Sequence, residues 1–317
     1  MPIFKLSPVF KDYIWGGNRL QSDFKFNSKY DKTAEAWMLA CHKDGNNTII
    51  GGDFDGKTLS YVIENIGLKE LCGINATKFP YFPVLIKLID AHDNLSVQVH
   101  PNDEYAKENE NEFGKTEMWY VLDATPDAQL IYGFKNSITK EEFKNSIQNN
   151  TLLDKLNKVS IKKGDVFFIE AGTVHAIGKG ALIAEIQQNS NTTYRVYDYN
   201  RLGTDGKPRQ LHIDKAIDVV NTNPPINSSK PMGEIIKTND YNYQLLTKCD
   251  LFTVEKYDIK SSLTIKTNGD SFNHLLITDG CGTLNDMEIV KGDSLFVPAN
   301  FGEYTINGDL ELLLTKI

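Results

Sequence analysis

The chain has 317 residues, 40% of them hydrophobic, and a formal net charge of −8. That length is enough for two domains or for one large β domain with a sizeable core. The negative charge argues against binding to nucleic acid or to an acidic membrane surface, because both need a positive field. An anionic substrate would therefore need a local cluster of lysine and arginine side chains.

The N-terminal residues and the cysteines predict a soluble, cytoplasmic protein. Residues 1–5 lack the apolar core and cleavage site of a signal peptide, and no apolar run approaches membrane-spanning length. No Cys-x-x-Cys pair occurs among the four cysteines, which are Cys41, Cys72, Cys249 and Cys281. We expect free thiols in a reducing compartment and no cysteine-bound metal. Separately, we expect a monomer or weak homodimer.

Strand patterns dominate the chain. Short apolar or alternating runs, each bounded by Gly, Asn, Asp or Pro, predict strands at 82–89, 96–100, 118–122, 129–132, 165–169, 182–187 and 193–197. Many short strands without regular βαβ alternation favour a sandwich or barrel over a parallel sheet. The predicted fold class is therefore mainly β.

Helices are predicted as insertions between these strands. The clearest covers 139–157, where Thr139 and Glu142 form a capping box ahead of a broadly helical apolar pattern. Two shorter helices are predicted at 60–71 and 213–220.

A faint internal repeat divides the chain. Residues 163–171 are echoed by 291–299, and residues 117–123 by 273–279. In the second copy Asn273 stands in place of Glu117, and Glu303 in place of His175. This pattern predicts a second, metal-free copy of one domain, although a Lys-Gly-Asp turn before an apolar strand is also common by chance.

The polar, proline-rich segment 221–231 is the best candidate for a linker. We accordingly predict a catalytic domain over residues 1–230, with a helical insertion near 137–158, and a metal-free domain over residues 231–317.

Four side chains predict a mononuclear metal site. Gln98 and His100 lie two apart on one strand and so project to the same face, while Glu117 and His175 come from other predicted strands or turns. Two imidazoles, a carboxylate and an amide oxygen suit zinc, and manganese, cobalt or iron are tolerable. A lone histidine is usually an ordinary core or surface residue, which is how we interpret His42, His92, His212 and His274.

Cations occur near these residues in unusual places. Lys87 interrupts an apolar strand, and Lys115 shares a face with Glu117 by the period of two. Arg195 follows Glu185 after a predicted turn. Each of these groups belongs either to an active site or to a structural ion pair, and the sequence leaves both interpretations open.

Most of the chain resembles the short bacterial form of the type I mannose-6-phosphate isomerases, which are members of the cupin superfamily. The matching stretches are residues 8–17, 34–37, 95–103, 114–120, 171–176, 185–190 and 195–198. The resemblance implies two jelly-roll cupin domains with short helical insertions, without the long helical domain of larger members. It also implies one zinc ion per chain, held by Gln98, His100, Glu117 and His175.

The family's reaction interconverts mannose 6-phosphate and fructose 6-phosphate through an enediol. By the resemblance Arg195 is the active-site arginine, and Glu185 falls where a base has been proposed. Lys115 and Lys87 are candidates for polarising sugar oxygens or anchoring phosphate. Two further candidates for phosphate binding are Arg201 and Arg209.

Two other classes remain open on the sequence. A cupin oxygenase would place similar ligands around iron, although Gln98 as a ligand argues against it. A non-catalytic sugar-phosphate-binding protein would hold the ligand without turnover, although the buried cations and possible base argue for chemistry.

Overall fold

The computed structural model describes residues 1–203, 205–227 and 229–317. Strands are the main element, and those of the first part of the chain are β1 (Phe4–Ser7), β2 (Val9–Lys11), β3 (Glu35–Leu39), β4 (Cys41–His42), β5 (Gly45–Asn46), β6 (Thr48–Ile50), β7 (Val84–Asp90), β8 (Val97–Val99), β9 (Glu117–Ala124), β10 (Gln129–Phe134), β11 (Leu156–Ser160), β12 (Val166–Ile169), β13 (His175–Ile177), β14 (Ala181–Gln188) and β15 (Tyr194–Tyr197). The later strands are β16 (Ile236–Lys237), β17 (Tyr241–Lys248), β18 (Thr253–Ile259), β19 (Ser262–Thr267), β20 (Asn273–Leu284), β21 (Met287–Val290), β22 (Ser294–Val297) and β23 (Gly302–Lys316).

Short helices connect these strands. They are α1 (Arg19–Phe24), α2 (Leu59–Ile66), α3 (Leu68–Cys72), α4 (Asp103–Asn109), α5 (Lys140–Gln148), α6 (Leu152–Lys155) and α7 (Ile213–Val219), with 3₁₀ turns at Gly52–Phe54 and Ile74–Lys78. Among the described residues, no helix has the length and apolar character needed to cross a membrane.

The first barrel is built from two antiparallel sheets. One has the strand order β11-β10-β13-β8-β15, and the other has the order β12-β9-β14-β7-β3-β2. Trp119 and Ile183 from the second sheet pack with Tyr132 and Ile177 from the first in one buried cluster. Each sheet therefore turns an apolar face inward, as the alternating patterns predict.

The second barrel is formed by one ten-stranded sheet, whose main path is β16-β17-β18-β23-β20-β22-β1-β6. Its core is an aliphatic cluster around Leu275, Leu295 and Leu312. Two strands from the beginning of the chain belong to this sheet, because β1 pairs with both β22 and β6. The division at residue 230 stays a prediction, since the N-terminal strands β1 and β6 pair with the C-terminal half.

The internal repeat is confirmed by strand register. Glu117 lies opposite Ile169 where β9 pairs with β12, and Asn273 lies opposite Val297 where β20 pairs with β22. Gly164 and Gly292 sit at the same place in the two Lys-Gly-Asp turns and both have φ of 93°, a conformation that glycine adopts without strain. The echo is therefore structural, not accidental.

The predicted helix over 139–157 is wrong in its second half. The capping box of Thr139 and Glu142 is present, but α5 ends at Gln148, and Asn150 adopts φ of 57° before the short α6. Leu156 is already in a strand, where it pairs with Phe134. Asparagine tolerates the left-handed region, so Asn150 ends the helical stretch where apolar spacing alone predicts continuation.

The other helix predictions need smaller corrections. The helix predicted over 60–71 is split into α2 and α3 at Gly67, where φ is 113°. The helix predicted over 213–220 is confirmed as α7. In the predicted linker, Thr222 accepts a backbone hydrogen bond from Ile138, so this part lies against the first barrel. Ser228 of that linker lies outside the described residues.

Candidate active site

Four side chains form a row across the six-stranded sheet. Glu185 on β14 lies opposite Trp119 on β9 and also opposite Lys87 on β7, and Lys87 in turn lies opposite Trp37 on β3. Residues directly opposite each other on antiparallel strands project to the same face. Two aromatic rings therefore flank one carboxylate and one ammonium group inside the barrel.

A second row crosses the facing five-stranded sheet. Gln98 on β8 lies opposite His175 on β13 and opposite Arg195 on β15. The sequence predicted this convergence of amide, imidazole and guanidinium groups only in part, because residue spacing does not report which strands are neighbours. Here β8 is the strand between the other two.

His100, Glu117 and His175 form a buried cluster between the sheets. The two Nε2 atoms are 3.2 Å apart, and Glu117 Oε1 is 3.3 Å from His175 Nε2 while Oε2 is 3.7 Å from His100 Nε2. All three side chains are at most 1% exposed. Within the described ranges, this is the one group of three His, Cys, Asp or Glu side chains with metal-ligand spacing.

The protonation of the cluster leaves lone pairs facing inward. His175 Nδ1 lies 2.8 Å from the Thr173 carbonyl and donates to it, so its Nε2 carries a lone pair. Lys115 Nζ lies 3.1 Å from His100 Nε2 and donates to that nitrogen. Burial lowers the pKa of His175 to about 4 and also lowers that of His100, which keeps both rings neutral at pH 7.

Glu117 has the chemistry of a metal ligand. Both carboxylate oxygens are fully buried without a hydrogen-bond partner among the described residues, although Lys115 Nζ lies 3.0 Å from Oε2. Burial raises the pKa of Glu117 to about 7 despite the opposing charge of Lys115. A buried carboxylate is costly unless a positive charge compensates it, so a divalent cation fits here.

The donor spacing also fits zinc. A tetrahedral site with bonds of about 2.1 Å separates its ligand atoms by about 3.4 Å. The three measured separations of 3.2, 3.3 and 3.7 Å bracket that value. Gln98, opposite His175 in register, lines the adjoining cavity.

Lys87 and Glu185 form a buried ion pair next to the cluster. Lys87 Nζ lies 3.3 Å from Glu185 Oε2 and 3.7 Å from Glu35 Oε2. Burial alone would lower the pKa of Lys87, but the two carboxylates hold it above its ordinary value. Burial would raise the pKa of Glu185, but Lys115 and Lys87 hold it below its ordinary value, so the carboxylate is ionised at neutral pH.

A cavity of about 290 Å³ opens over this machinery. Six of the site residues that the sequence predicts line this cavity: Lys87, Gln98, Lys115, Glu185, Arg195 and Arg209. The cluster lies at one side, since Lys115 contacts both His100 and Glu117. The walls carry opposite charges on separate side chains, which suits a polar, anionic ligand.

The three arginines differ in what they can reach. Arg195 donates from Nε to Ser96 Oγ at 3.2 Å and from an Nη atom to the Gln210 carbonyl at 2.9 Å, and it lines the cavity. Arg209 also lines the cavity, while two of its nitrogens bind the Asp198 carboxylate.

Arg201 is outside that lining. Its guanidinium group binds Asp198 and the Asn94 carbonyl, each at 2.6 Å. Contact between Arg201 and phosphate therefore stays a prediction, and Arg209 is the one of these two that lines the cavity.

Sequence reasoning missed Glu35 as a cavity residue. Glu35 is 7% exposed, faces Lys87, and accepts a hydrogen bond from Trp37 Nε1 at 2.7 Å. The signal was available, because a carboxylate in the apolar run of β3 is as unusual as Lys87 in β7. Tyr13, Ser96, Asn191 and Thr193 also line the cavity, but isolated polar residues in loops or at the first position of a predicted strand give no comparable signal.

Comparison with known proteins identifies the family of this site. A family model described as "Phosphomannose isomerase type I, catalytic domain" matches residues 3–128, and one described as "Mannose-6-phosphate isomerase, cupin domain" matches residues 242–317. The mannose-6-phosphate isomerase ManA of Bacillus subtilis is 39% identical over 100% of this chain and 99% of its own. The chain belongs to the type I mannose-6-phosphate isomerase family.

Further relatives agree with membership of the mannose-6-phosphate isomerase family. A mannose-6-phosphate isomerase of Streptococcus mutans is 36% identical over 98% of this chain and 97% of its own. The crystal structure of a mannose 6-phosphate isomerase from Bacillus subtilis superposes with a TM-score of 0.92 at 34% identity, covering 100% of both chains. These matches confirm the predicted mainly β fold with cupin domains and the assignment as an isomerase.

Proposed function

We propose that this protein is a zinc-dependent aldose–ketose isomerase that interconverts mannose 6-phosphate and fructose 6-phosphate through an enediol. Its relatives are named for the first of these sugars. The single observation that carries the proposal is the cluster of His100, Glu117 and His175 beside an ionised Glu185, at the side of one polar cavity.

Gln98, His100, Glu117 and His175 would hold one zinc ion per chain. When bound, zinc supplies positive charge that stabilises the negative charge developing on the sugar oxygens. Support for this ligand set comes from the inward lone pair of His175 Nε2 and from the oxygens of Glu117, which have no hydrogen-bond partner among the described residues. Lys115 adds a second positive charge within 3.1 Å of two of these ligands.

Glu185 is the proposed base that moves the proton between C2 and C1. Trp119 Nε1 donates to Glu185 Oε1 at 3.0 Å, and Lys87 lies beside Oε2, so the carboxylate is fixed between two partners. A base must be unprotonated before it accepts the substrate proton, and the lowered pKa of Glu185 meets that condition. The conjugate acid then returns the proton to the neighbouring carbon.

The cations are proposed to divide the remaining work. Lys87, Lys115 and Arg195 line the cavity and are proposed to stabilise the charge that develops on the enediolate oxygens. Arg209 also lines the cavity and is the proposed phosphate contact, because a guanidinium group matches the geometry of a phosphate. A cytoplasmic location is also proposed, since four unpaired cysteines suit a reducing compartment.

A coupled assay with mannose 6-phosphate, run before and after chelation, tests the proposal. We expect ketose formation that is lost with the chelator and restored by zinc. Iron-dependent oxygen uptake would instead indicate the cupin oxygenase, and binding without turnover would indicate a sugar-phosphate-binding protein.

A further inference from the structure

The second barrel contains a large polar cavity that the proposed isomerase reaction does not use. Its volume is about 820 Å³, within the range of ligand-binding pockets. Side chains from β17, β18, β19, β20 and β23 line it. Several of them are buried polar groups, including Glu255, Thr267 and Asn273, which are 8%, 4% and 6% exposed.

This cavity occupies the place that the active-site cavity occupies in the first barrel. Asn273 corresponds to Glu117 in the internal repeat, and Ser271 corresponds to Lys115, which also lies two residues earlier. Ser271 and Asn273 both line the second cavity. Both copies of the repeat therefore contain a cavity, while two of the four proposed ligand positions, those of Glu117 and His175, carry Asn273 and Glu303 in the second copy.

The strand register extends this correspondence to a buried charge. In the first barrel Lys87 lies opposite Glu185, which lies opposite Trp119. In the second barrel Glu255 lies opposite Leu314, which lies opposite Leu275, two residues after Asn273. Glu255 thus stands where Lys87 stands, so the second barrel keeps a buried charged group of opposite sign.

Glu255 is arranged as a hydrogen-bond acceptor between aromatic rings. Lys316 Nζ donates to Oε1 at 2.8 Å, and the hydroxyl groups of Tyr243 and Tyr257 donate to Oε1 and Oε2 at 3.5 and 3.2 Å. The two tyrosine ring centroids are 5.2 Å apart. Each carboxylate oxygen has two lone pairs, so Oε2, which accepts only the hydrogen bond from Tyr257 among the described residues, can accept a further hydrogen bond from a ligand.

The chemistry of these walls suits a ring with many hydroxyl groups. Carboxylate, amide and hydroxyl groups offer both acceptors and donors, and the tyrosine rings offer apolar faces for C–H groups. The rim carries no strong charge of one sign, because the exposed Lys78, Lys248 and Lys266 stand beside Asp250 and Asp270. We propose that this second cavity is a binding site for a hexose ring, free or phosphorylated.

Saturation-transfer NMR with two separate probes, D-mannose and mannose 6-phosphate, tests this site. The protein carries Glu185→Gln, Arg195→Ala and Arg209→Ala, so that both turnover and the proposed phosphate contact of the first cavity are removed. We expect binding of at least one probe with a dissociation constant on the order of 1 mM. Adding Glu255→Gln should weaken it about tenfold, because a hydrogen bond to a charged acceptor is lost.

Two further variants keep the test decisive. Tyr257→Phe removes one hydroxyl group and should weaken binding even if Glu255→Gln lowers the melting temperature. Lys256→Gln is the matched control, since Lys256 pairs with Glu311 and is outside the cavity lining, and it should leave binding unchanged.

Absence of transfer from both probes, or equal transfer with and without Glu255→Gln and Tyr257→Phe, would overturn the proposal. In the otherwise unaltered protein, Glu255→Gln should keep isomerase turnover, so this result is independent of the first site.

Discussion

Lys87 and Glu185 lie opposite each other on neighbouring strands, with Lys87 Nζ 3.3 Å from Glu185 Oε2, and both are almost completely buried. Burying such an ion pair costs desolvation free energy, and replacing both residues with apolar side chains is often neutral or stabilising. Its position in the lining of the polar cavity supports the proposed role of Glu185 as the base.

Glu185→Gln should lower kcat by about 10² to 10⁴-fold, because the amide cannot accept a proton at neutral pH. Steady-state rates with mannose 6-phosphate measure the change. Glu35→Gln is the matched control, since Glu35 also faces Lys87 but accepts its hydrogen bond from Trp37. An equal loss in both variants would show that disturbance of Lys87, and not loss of the base, causes the effect.

Arg195→Ala should lower turnover by about 10² to 10³-fold while the melting temperature changes little. The side chain donates only to Ser96 Oγ and the Gln210 carbonyl among the described residues, so few structural contacts are lost. Arg195→Lys should recover part of the activity because it keeps the charge without the planar fork. Full turnover in Arg195→Ala would contradict the proposed role.

Arg209→Ala should raise KM for mannose 6-phosphate about tenfold, because a charge-assisted contact to phosphate is removed. Arg201→Ala is the matched control, since both guanidinium groups bind Asp198 but only Arg209 lines the cavity. Equal KM values for the two variants would assign phosphate binding to other residues.

His175→Ala should abolish stoichiometric zinc, because one of two buried imidazole donors is lost. Metal content by mass spectrometry after dialysis measures this without an activity assay. His92→Ala is the control, since His92 is exposed and outside the cluster. One zinc per chain retained by His175→Ala would rule out the proposed ligand set.

His274 should make the free energy of unfolding depend on pH. It is fully buried in the second barrel, with Nε2 2.8 Å from Ser294 Oγ, and burial lowers its pKa to about 3. The unfolded chain binds the proton near pH 6.5, so this stabilising contribution is present above that pH and is lost as the pH falls toward 3.

Between pH 7 and pH 5, the contribution of His274 should lower the free energy of unfolding by about 2 kcal/mol. Urea unfolding of the wild-type protein and of His274→Gln at both pH values measures it, because other groups contribute equally to the two proteins. A His274→Gln variant with the same pH dependence as the wild type would contradict the assignment.

Sequence patterns anticipated the parts of the site that depend on local periodicity. Gln98 and His100 were predicted to share a face because side chains alternate along a strand, and Lys115 was predicted to face Glu117 for the same reason. The row of Trp119, Glu185 and Lys87 depends instead on which strands pair. Pairing between distant segments leaves no periodic signal in a single sequence.

Other failures also have physical causes. The helix predicted over 139–157 stops early because Asn150 enters the left-handed region, which apolar spacing does not detect. That Arg201 contacts phosphate stays a prediction, since its guanidinium group binds Asp198 and is outside the lining of the cavity. Glu35 was overlooked although its buried position gave the same signal as Lys87.

The pairing of β1 with β22 has a consequence for how this protein is made. Phe4 lies opposite Phe296, so β1 pairs with β22 only after the nearly three hundred residues between them have been synthesised. Contacts of such long sequence separation slow folding. A fragment carrying only the C-terminal half would expose the backbone of β22, whose four side chains are all buried, and such an unprotected edge favours aggregation. Separate expression of the two barrels should therefore fail unless residues 1–7 accompany the second.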